Sequence, residues 1–251
     1  HISLLPATGG NVGIGTWGPA EKLDVLGKIA VNGQTAVYIP LGSFTGSSFY
    51  GDGGGSLSYV SGNDGRYNTG VGIGALFSNT TGGYNTASGY QSLWKNTTGA
   101  GNVASGRESL RYNTTGGYNV ASGDQSLYTN TEGAHNVASG YQSLYLNTTG
   151  GFNVASGYQS LYSNITGSNN VAFGYRAGRY IANGSTANQT SGTSVYLGGA
   201  TKALADGGTN EIVIGYNAIG NGSNTVTLGN TSVTKTILQG NVGIGTTNPS
   251  S

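Results

Sequence analysis

At 251 residues the chain is long enough for a large globular core, but 48 residues are glycine and only 8% are charged, which excludes a conventionally packed domain. With 10 Lys plus Arg against 9 Asp plus Glu, a net charge of +1 and no basic run, the electrostatic footprint of a nucleic-acid binder is missing, while 17 tyrosines on a fixed period argue against disorder. No apolar run approaches the roughly 18 residues that span a bilayer, cysteine is absent, and methionine is absent even at position 1, so a piece excised from a longer product is expected.

Residues 1–34 read as an N-terminal module of short strands. Leu23, Val25, Ile29 and Val31 alternate with small or polar neighbours, the period-2 signature of a strand with one buried face. Its opening N-V-G-I-G-T at Asn11–Thr16 returns at Asn241–Thr246, so residues 240–251 read as the start of a second copy. Residues 35–67 are rich in glycine and serine, with G-D-G-G-G at 51–55, and read as a connecting β segment of turns and short strands.

Residues 68–169 hold six copies of a 17-residue line close to N-V-A-S-G-Y-Q-S-L-Y-x-N-T-T-G-G-Y. Counting from the first asparagine as position 1, Asn68 to Asn153 mark position 1, Leu76 to Leu161 position 9 and Asn79 to Asn164 position 12. A fixed period with one strand-like and one turn-like half predicts an all-β fold, a parallel β-solenoid with one coil per repeat. In such a strand positions 2 and 4 share a face, for example Val103 with Ser105, while alanine at position 3 and glycine at position 5 face the other way. Each coil is expected to bury one valine and one leucine at about 1.5–3 kcal/mol apiece, against about 1–2 kcal/mol of backbone ordering per residue. The shortfall predicts further burial against partner chains, with the small alanine and glycine face as the contact. Beyond Asn170 the strand motif persists through 170–239 as an irregular continuation with 14-residue coils, Asn210 and Asn224 being 14 apart, and a loop excursion over 178–208.

Asn85, Asn102, Asn119, Asn136 and Asn153, with Leu93, Leu110, Leu127, Leu144 and Leu161, are expected to form structural ladders, since stacked asparagines bond one another at about 4.8 Å. The recurring glycines are read as positive-φ corners. Aromatic residues form two partial columns, at position 6 with Tyr90, Tyr141, Tyr158 and Tyr175, and at position 10 with Phe77, Trp94, Tyr128, Tyr145 and Tyr162. Rings beside Asn, Gln and Thr suit sugars, so Tyr90, Trp94, Tyr128, Tyr141, Tyr145, Tyr158 and Tyr162 are candidate glycan-binding residues, weighed against simple stacking. Arg107, Arg111 and Asp124 interrupt the columns and are read as a patch of different specificity. Thr columns at positions 13 and 14 leave an ice-binding solenoid as a remote alternative. With only His1 and His135, and with Asp124, Glu132 and Glu108 as the only acids that could approach across coils, neither a catalytic site, a metal site nor a cofactor is expected.

The N-x-[VI]-x-[IVL]-G strands at 210–229 resemble the YadA-type head repeats of trimeric autotransporter adhesins. The 17-residue form, with N-V-G-I-G-T-T-N-P at 241–249, is similar to phage tail-fibre proteins and tail-fibre-like bacterial surface proteins. The resemblance covers about 68–249 and the module at 11–33, and it implies left-handed β-roll coils in a homotrimer. It also implies an extracellular location, on a virion tail fibre or a bacterial or archaeal surface, and attachment to cell-surface glycans or other receptors. The alternative partner is the chain itself, joined end to end through the two N-V-G-I-G-T modules into a homopolymeric surface filament; neither nucleic acid nor membrane insertion is expected.

Overall fold

The computed structural model describes residues 65–238, together with the backbone of five short strands nearer the N-terminus. Those five are β1 (Val12–Ile14), β2 (Leu23–Val25), β3 (Lys28–Val31), β4 (Gln34–Tyr38) and β5 (Ser48–Tyr50). β1 pairs with β2 in parallel, and β3, β4 and β5 form an antiparallel run. The expected second module at 240–251 lies outside the described residues.

From β5 onward the sheet is parallel, one strand per coil. The strands are β6 (Thr69–Val71), β7 (Thr86–Ser88), β8 (Val103–Ser105), β9 (Val120–Ser122), β10 (Val137–Ser139), β11 (Val154–Ser156), β12 (Val171–Phe173), β13 (Val195–Leu197), β14 (Glu211–Ile214) and β15 (Thr225–Leu228). Their order in the sheet is their order in the chain, and like repeat positions lie opposite each other: Val120 against Val137, Ala121 against Ala138. The molecule is thus a parallel β-solenoid, as the period requires. Strand steps are 17 residues through the central repeats, then 24, 17 and 14, so only the last coil of the continuation has the shorter step expected for all of 170–239. The 24-residue coil carries its excess in a small hairpin bridged between Tyr180 and Ala187.

The strands' inward face is the reverse of the one expected. Ala87, Ala104, Ala121, Ala138 and Ala155 are fully buried with the position-9 leucines, whereas Val103, Val120 and Val137 stand outward at 38–41% exposure. Alanine and leucine, not valine and leucine, make the core, because the coil interior is too narrow to seat two branched side chains opposite each other. The alanine face is therefore closed within the chain and is not a partner contact. Where the filling changes it changes in a matched pair: Tyr196 replaces alanine at position 3 and is fully buried, and the position-9 residue of the preceding coil is Gly178. A Cβ on Gly178 would fall 2.7 Å from the Tyr196 ring.

The recurring glycines are required for two different reasons. At position 5 the backbone is left-handed, φ between 123° and 139° from Gly72 to Gly157, and a Cβ on Gly123 would sit 2.6 Å from the Gly140 oxygen. At position 15 there is no positive φ, and crowding alone excludes a side chain. A Cβ on Gly116 would fall 2.5 Å from Asn113 Oδ1 and closer still to the Gly133 oxygen. Position 16 is looser, since alanine already occupies it at Ala100 and Ala134. Gly116→Ala is therefore expected to destabilise the chain by more than about 2 kcal/mol while Gly117→Ala changes it by less than about 0.5 kcal/mol, a contrast measurable by chemical denaturation of the two variants side by side.

Candidate functional site

The central coils present equivalent positions at the same corners, so their surface is organised as columns. Turn geometry places them. Besides the glycines, three positions per coil hold left-handed backbone: position 7 (Gln91, Glu108, Gln125, Gln142, Gln159), position 9 (the leucines) and position 17 (Tyr67, Tyr84, Tyr118, His135, Phe152). Their N–H groups join coil to coil, Gln125 donating to the Arg107 oxygen, Leu127 to the Ser143 oxygen and Tyr118 to the Ala100 oxygen, at 2.8–3.0 Å.

In the interior, asparagine ladders run the length of the central repeats. Asn119 donates its N–H to Asn102 Oδ1 at 2.9 Å and its amide to Asn102 Oδ1 and the Gly133 oxygen, at 3.1 and 2.8 Å. Its own Oδ1 accepts from the Asn136 N–H. The position-12 asparagines join their ladder through the side-chain amide alone, Asn130 Nδ2 donating to Asn113 Oδ1 and to the Gly133 oxygen at 2.7 and 2.9 Å. All of these are buried, and every amide is committed within the stack.

Of the candidate aromatics, Tyr128, Tyr145 and Tyr162 stack face to face with centroids 4.9 and 5.0 Å apart and planes within 5°. Tyr141 and Tyr158 stack at 5.1 Å, Tyr158 and Tyr175 at 5.4 Å. Trp94 pairs with Phe77 at 6.4 Å, and Tyr90, at position 6, makes no ring stack among the described residues. The cations read as interruptions continue the columns. Arg111 lies 5.1 Å from the Trp94 centroid and 5.8 Å from that of Tyr128, and Arg179 covers Tyr162 at 4.2 Å. Such cation–ring contacts contribute about 0.5–1 kcal/mol at exposed sites. In the position-6 column Arg107 donates twice to Asp124, at 3.0 Å each, and that pairing raises the guanidinium's proton affinity further. Burial, then a hydrogen bond to Tyr112, raises the pKa of Tyr128; burial and the neighbouring phenols raise that of Tyr145.

Two columns escaped the sequence reading. Tyr118, His135 and Phe152 at position 17 stack at 5.1 and 4.8 Å with planes within 9°, and all are exposed. Their residue type drifts, which hid them from a search for identity; a search for aromatic character at a fixed step would have found them. The second is an oriented amide chain at position 7. Gln159 donates to Gln142, Gln142 to Gln125, and Gln125 to the carboxylate of Glu108, at 2.8–2.9 Å. At the opposite end Arg176 and Arg179 donate to Gln159 Oε1. The row of amide dipoles thus ends on an anion at its N–H side and on cations at its oxygen side. Glu108 also binds Arg107 and Arg111, at 3.0 and 2.5 Å, so Glu108 and Asp124 are held by arginines rather than by each other.

The threonine array is partly consumed: Thr97, Thr114 and Thr131 at position 13 donate their hydroxyls to the backbone of the next coil, leaving only position 14 outward. Among the described residues no cluster of His, Cys, Asp or Glu could hold a metal ion, and no helix is long and apolar enough to cross a membrane. No family model, curated protein or solved structure matches the chain.

Asn119→Asp is expected to cost more than about 3 kcal/mol at pH 8, because the carboxylate oxygen that replaces the amide nitrogen would face the Asn102 Oδ1 and Gly133 oxygens, both acceptors, with no hydrogen to donate. Its folded-state pKa would be raised above the ordinary value of about 3.9, so the penalty grows as pH rises through that window and shrinks toward pH 4. Asn119→Ala should cost less and show no such pH dependence; denaturation midpoints at pH 4 and 8 separate the two.

Proposed function

We propose that the chain is an extracellular structural fibre segment that presents a repetitive surface for attachment to cell-surface glycans. The observation that carries this reading is the unbroken register of the central coils, which holds one set of outward side chains at one spacing along a stiff axis. Repetition on that scale serves attachment through many weak contacts, where linked sites raise overall affinity by about 10²–10⁴ without any new contact.

Side-by-side association of chains belongs to the same reading. The outward strand face carries Val103, Val120 and Val137, and toward the C-terminal end it gains Phe173, Ile214 and Leu228, all exposed. A continuous apolar stripe on one face of a thin rod marks a protein contact. Three copies is the number implied by the resemblance to adhesin heads and tail fibres. End-to-end growth into a filament is the second reading, favoured by the N-V-G-I-G-T segment shared by Asn11–Thr16 and Asn241–Thr246.

Light scattering over a wide dilution range is expected to return a fixed mass of three chains, and Val120→Lys with Val137→Lys to return one chain with its coil signature intact. Mass that grows with concentration would establish the filament, and a stable parent monomer would overturn association through this face. On a glycan array the parent is expected to bind saccharides; uniform silence there would overturn the attachment reading.

A further inference from the structure

The regular columns leave little for a sugar to stack on. Sugar C–H groups pack against the face of an aromatic ring, and in the stacked runs Tyr128–Tyr145–Tyr162 and Tyr141–Tyr158–Tyr175 the faces between coils are taken by the next ring, with Arg111 and Arg179 over the ends of the first run. What they present outward is ring edges. The position-6 run is broken beside the hairpin of the 24-residue coil. There position 6 passes from Tyr175 to Gly199, which has no side chain, before Tyr216 resumes it.

A cavity of about 140 Å³ opens at this break, lined by Tyr175, Arg176, Tyr180, Thr201, Lys202 and Asn217. The hairpin forms one wall: Tyr180 begins it, and its Gly184 lies against the Lys202 stem, where an added Cβ would meet the Lys202 Cε at 3.5 Å. Lys202 stands at position 9, which leucine fills in the central coils, and with Tyr196 occupying the interior its amine turns outward to Asn217 Oδ1. Arg176 binds Gln159 through Nε alone and rests 4.9 Å from the Tyr175 centroid. Arg176 and Lys202, which line the notch, are paired with no carboxylate among the described residues. The nearest acid in sequence, Asp206, is committed elsewhere. Burial alone would raise its pKa, but the backbone N–H groups of Thr190 and Gln189, with that of Gly207, hold it below the usual range.

We infer that this notch binds a single acidic sugar residue, with the ring against Tyr175 and Tyr180 and its anionic group between Arg176 and Lys202. The volume suits one ring, well below the roughly 300–1,000 Å³ of sites for larger ligands. Two cations of different shape suit an anion: the guanidinium offers a planar fork and the ammonium a point charge. Asn217, exposed at the rim, supplies a side-chain amide that can meet sugar hydroxyls. The inference rests on the attachment reading and names the ligand class within it.

The test is titration of the full chain with three defined oligosaccharides: one carrying a uronate, one carrying a sulfate on the same backbone, and the neutral parent. Binding of the uronate or the sulfated probe, weakened at least about tenfold by Arg176→Gln and by Lys202→Gln and unchanged by Lys235→Gln, is the expected result. Gly199→Tyr restores the ring column and is expected to close the notch and abolish that binding. Which acidic probe binds more tightly identifies the anion. If the neutral oligosaccharide binds as well as the acidic ones, or if the Arg176 and Lys202 variants bind like the parent, the notch assignment falls while the attachment reading stands. If none of the three binds and a wider glycan array is also silent, both fall.

Discussion

The position-15 carbonyl is the point on which each coil closes. In the coil that begins at Asn102, the Gly116 oxygen accepts from Asn102 Nδ2 at 2.9 Å and from Asn113 Nδ2 at 2.8 Å, so one oxygen ties the start of the coil to its far corner. Only three residues of each central coil are strand. Most of the remaining backbone turns, and turning backbone inside a narrow coil needs polar partners that no neighbouring strand supplies. Asparagine provides them, since its amide both donates to the glycine oxygen and accepts from its own copy one coil away. A side chain on Gly116 would wedge between Asn113 and Asn130 of the position-12 ladder and against the Gly133 oxygen, so position 15 is constrained by crowding.

Left-handed backbone at positions 7, 9 and 17 costs about 1–2 kcal/mol for each non-glycine residue, or about 3–6 kcal/mol per coil. The asparagine columns contribute five hydrogen bonds per coil, as counted at Asn119 and Asn130, each worth about 0.5–1.5 kcal/mol. The two quantities nearly cancel. Leucine burial at position 9, about 1.5–3 kcal/mol per coil, then tips the balance, which explains a bulky residue in a conformation that glycine would adopt more easily. The cost recurs in every coil and the compensation requires a neighbour, so stability belongs to the stack rather than to any one repeat.

The period, the strand position and the asparagine and leucine columns were legible because each is a matter of spacing, and spacing survives in a single sequence. The direction of the strand face was not. Val and Ala alternate at positions 2 and 3, and hydrophobicity alone favours valine for the interior; the decisive quantity is room, which depends on the coil's width. Likewise Gly116 and Gly123 look alike in sequence, yet one is held by contact and the other by its dihedral. The compensation between Gly178 and Tyr196 is 18 residues apart in sequence and becomes visible only once the 24-residue step is known.

Regularity and recognition pull against each other in this architecture. Identical side chains one coil apart satisfy one another: ring faces stack on ring faces, Arg111 and Arg179 cover the ends of the tyrosine runs, and glutamine amides bond in a single direction. A column that satisfies itself has little left for a ligand beyond edges and shape. Chemistry with unspent capacity therefore collects where the repeat is broken, and the insertion after Gly178 breaks three things together: it removes the leucine of one coil, turns Lys202 outward and leaves Gly199 without a ring. The regular coils then supply stiffness and valency, and the irregular coil supplies selectivity. On this argument a change in ligand preference requires changes only near the hairpin, whereas any change of length in the central coils would misalign every ladder on both sides of it.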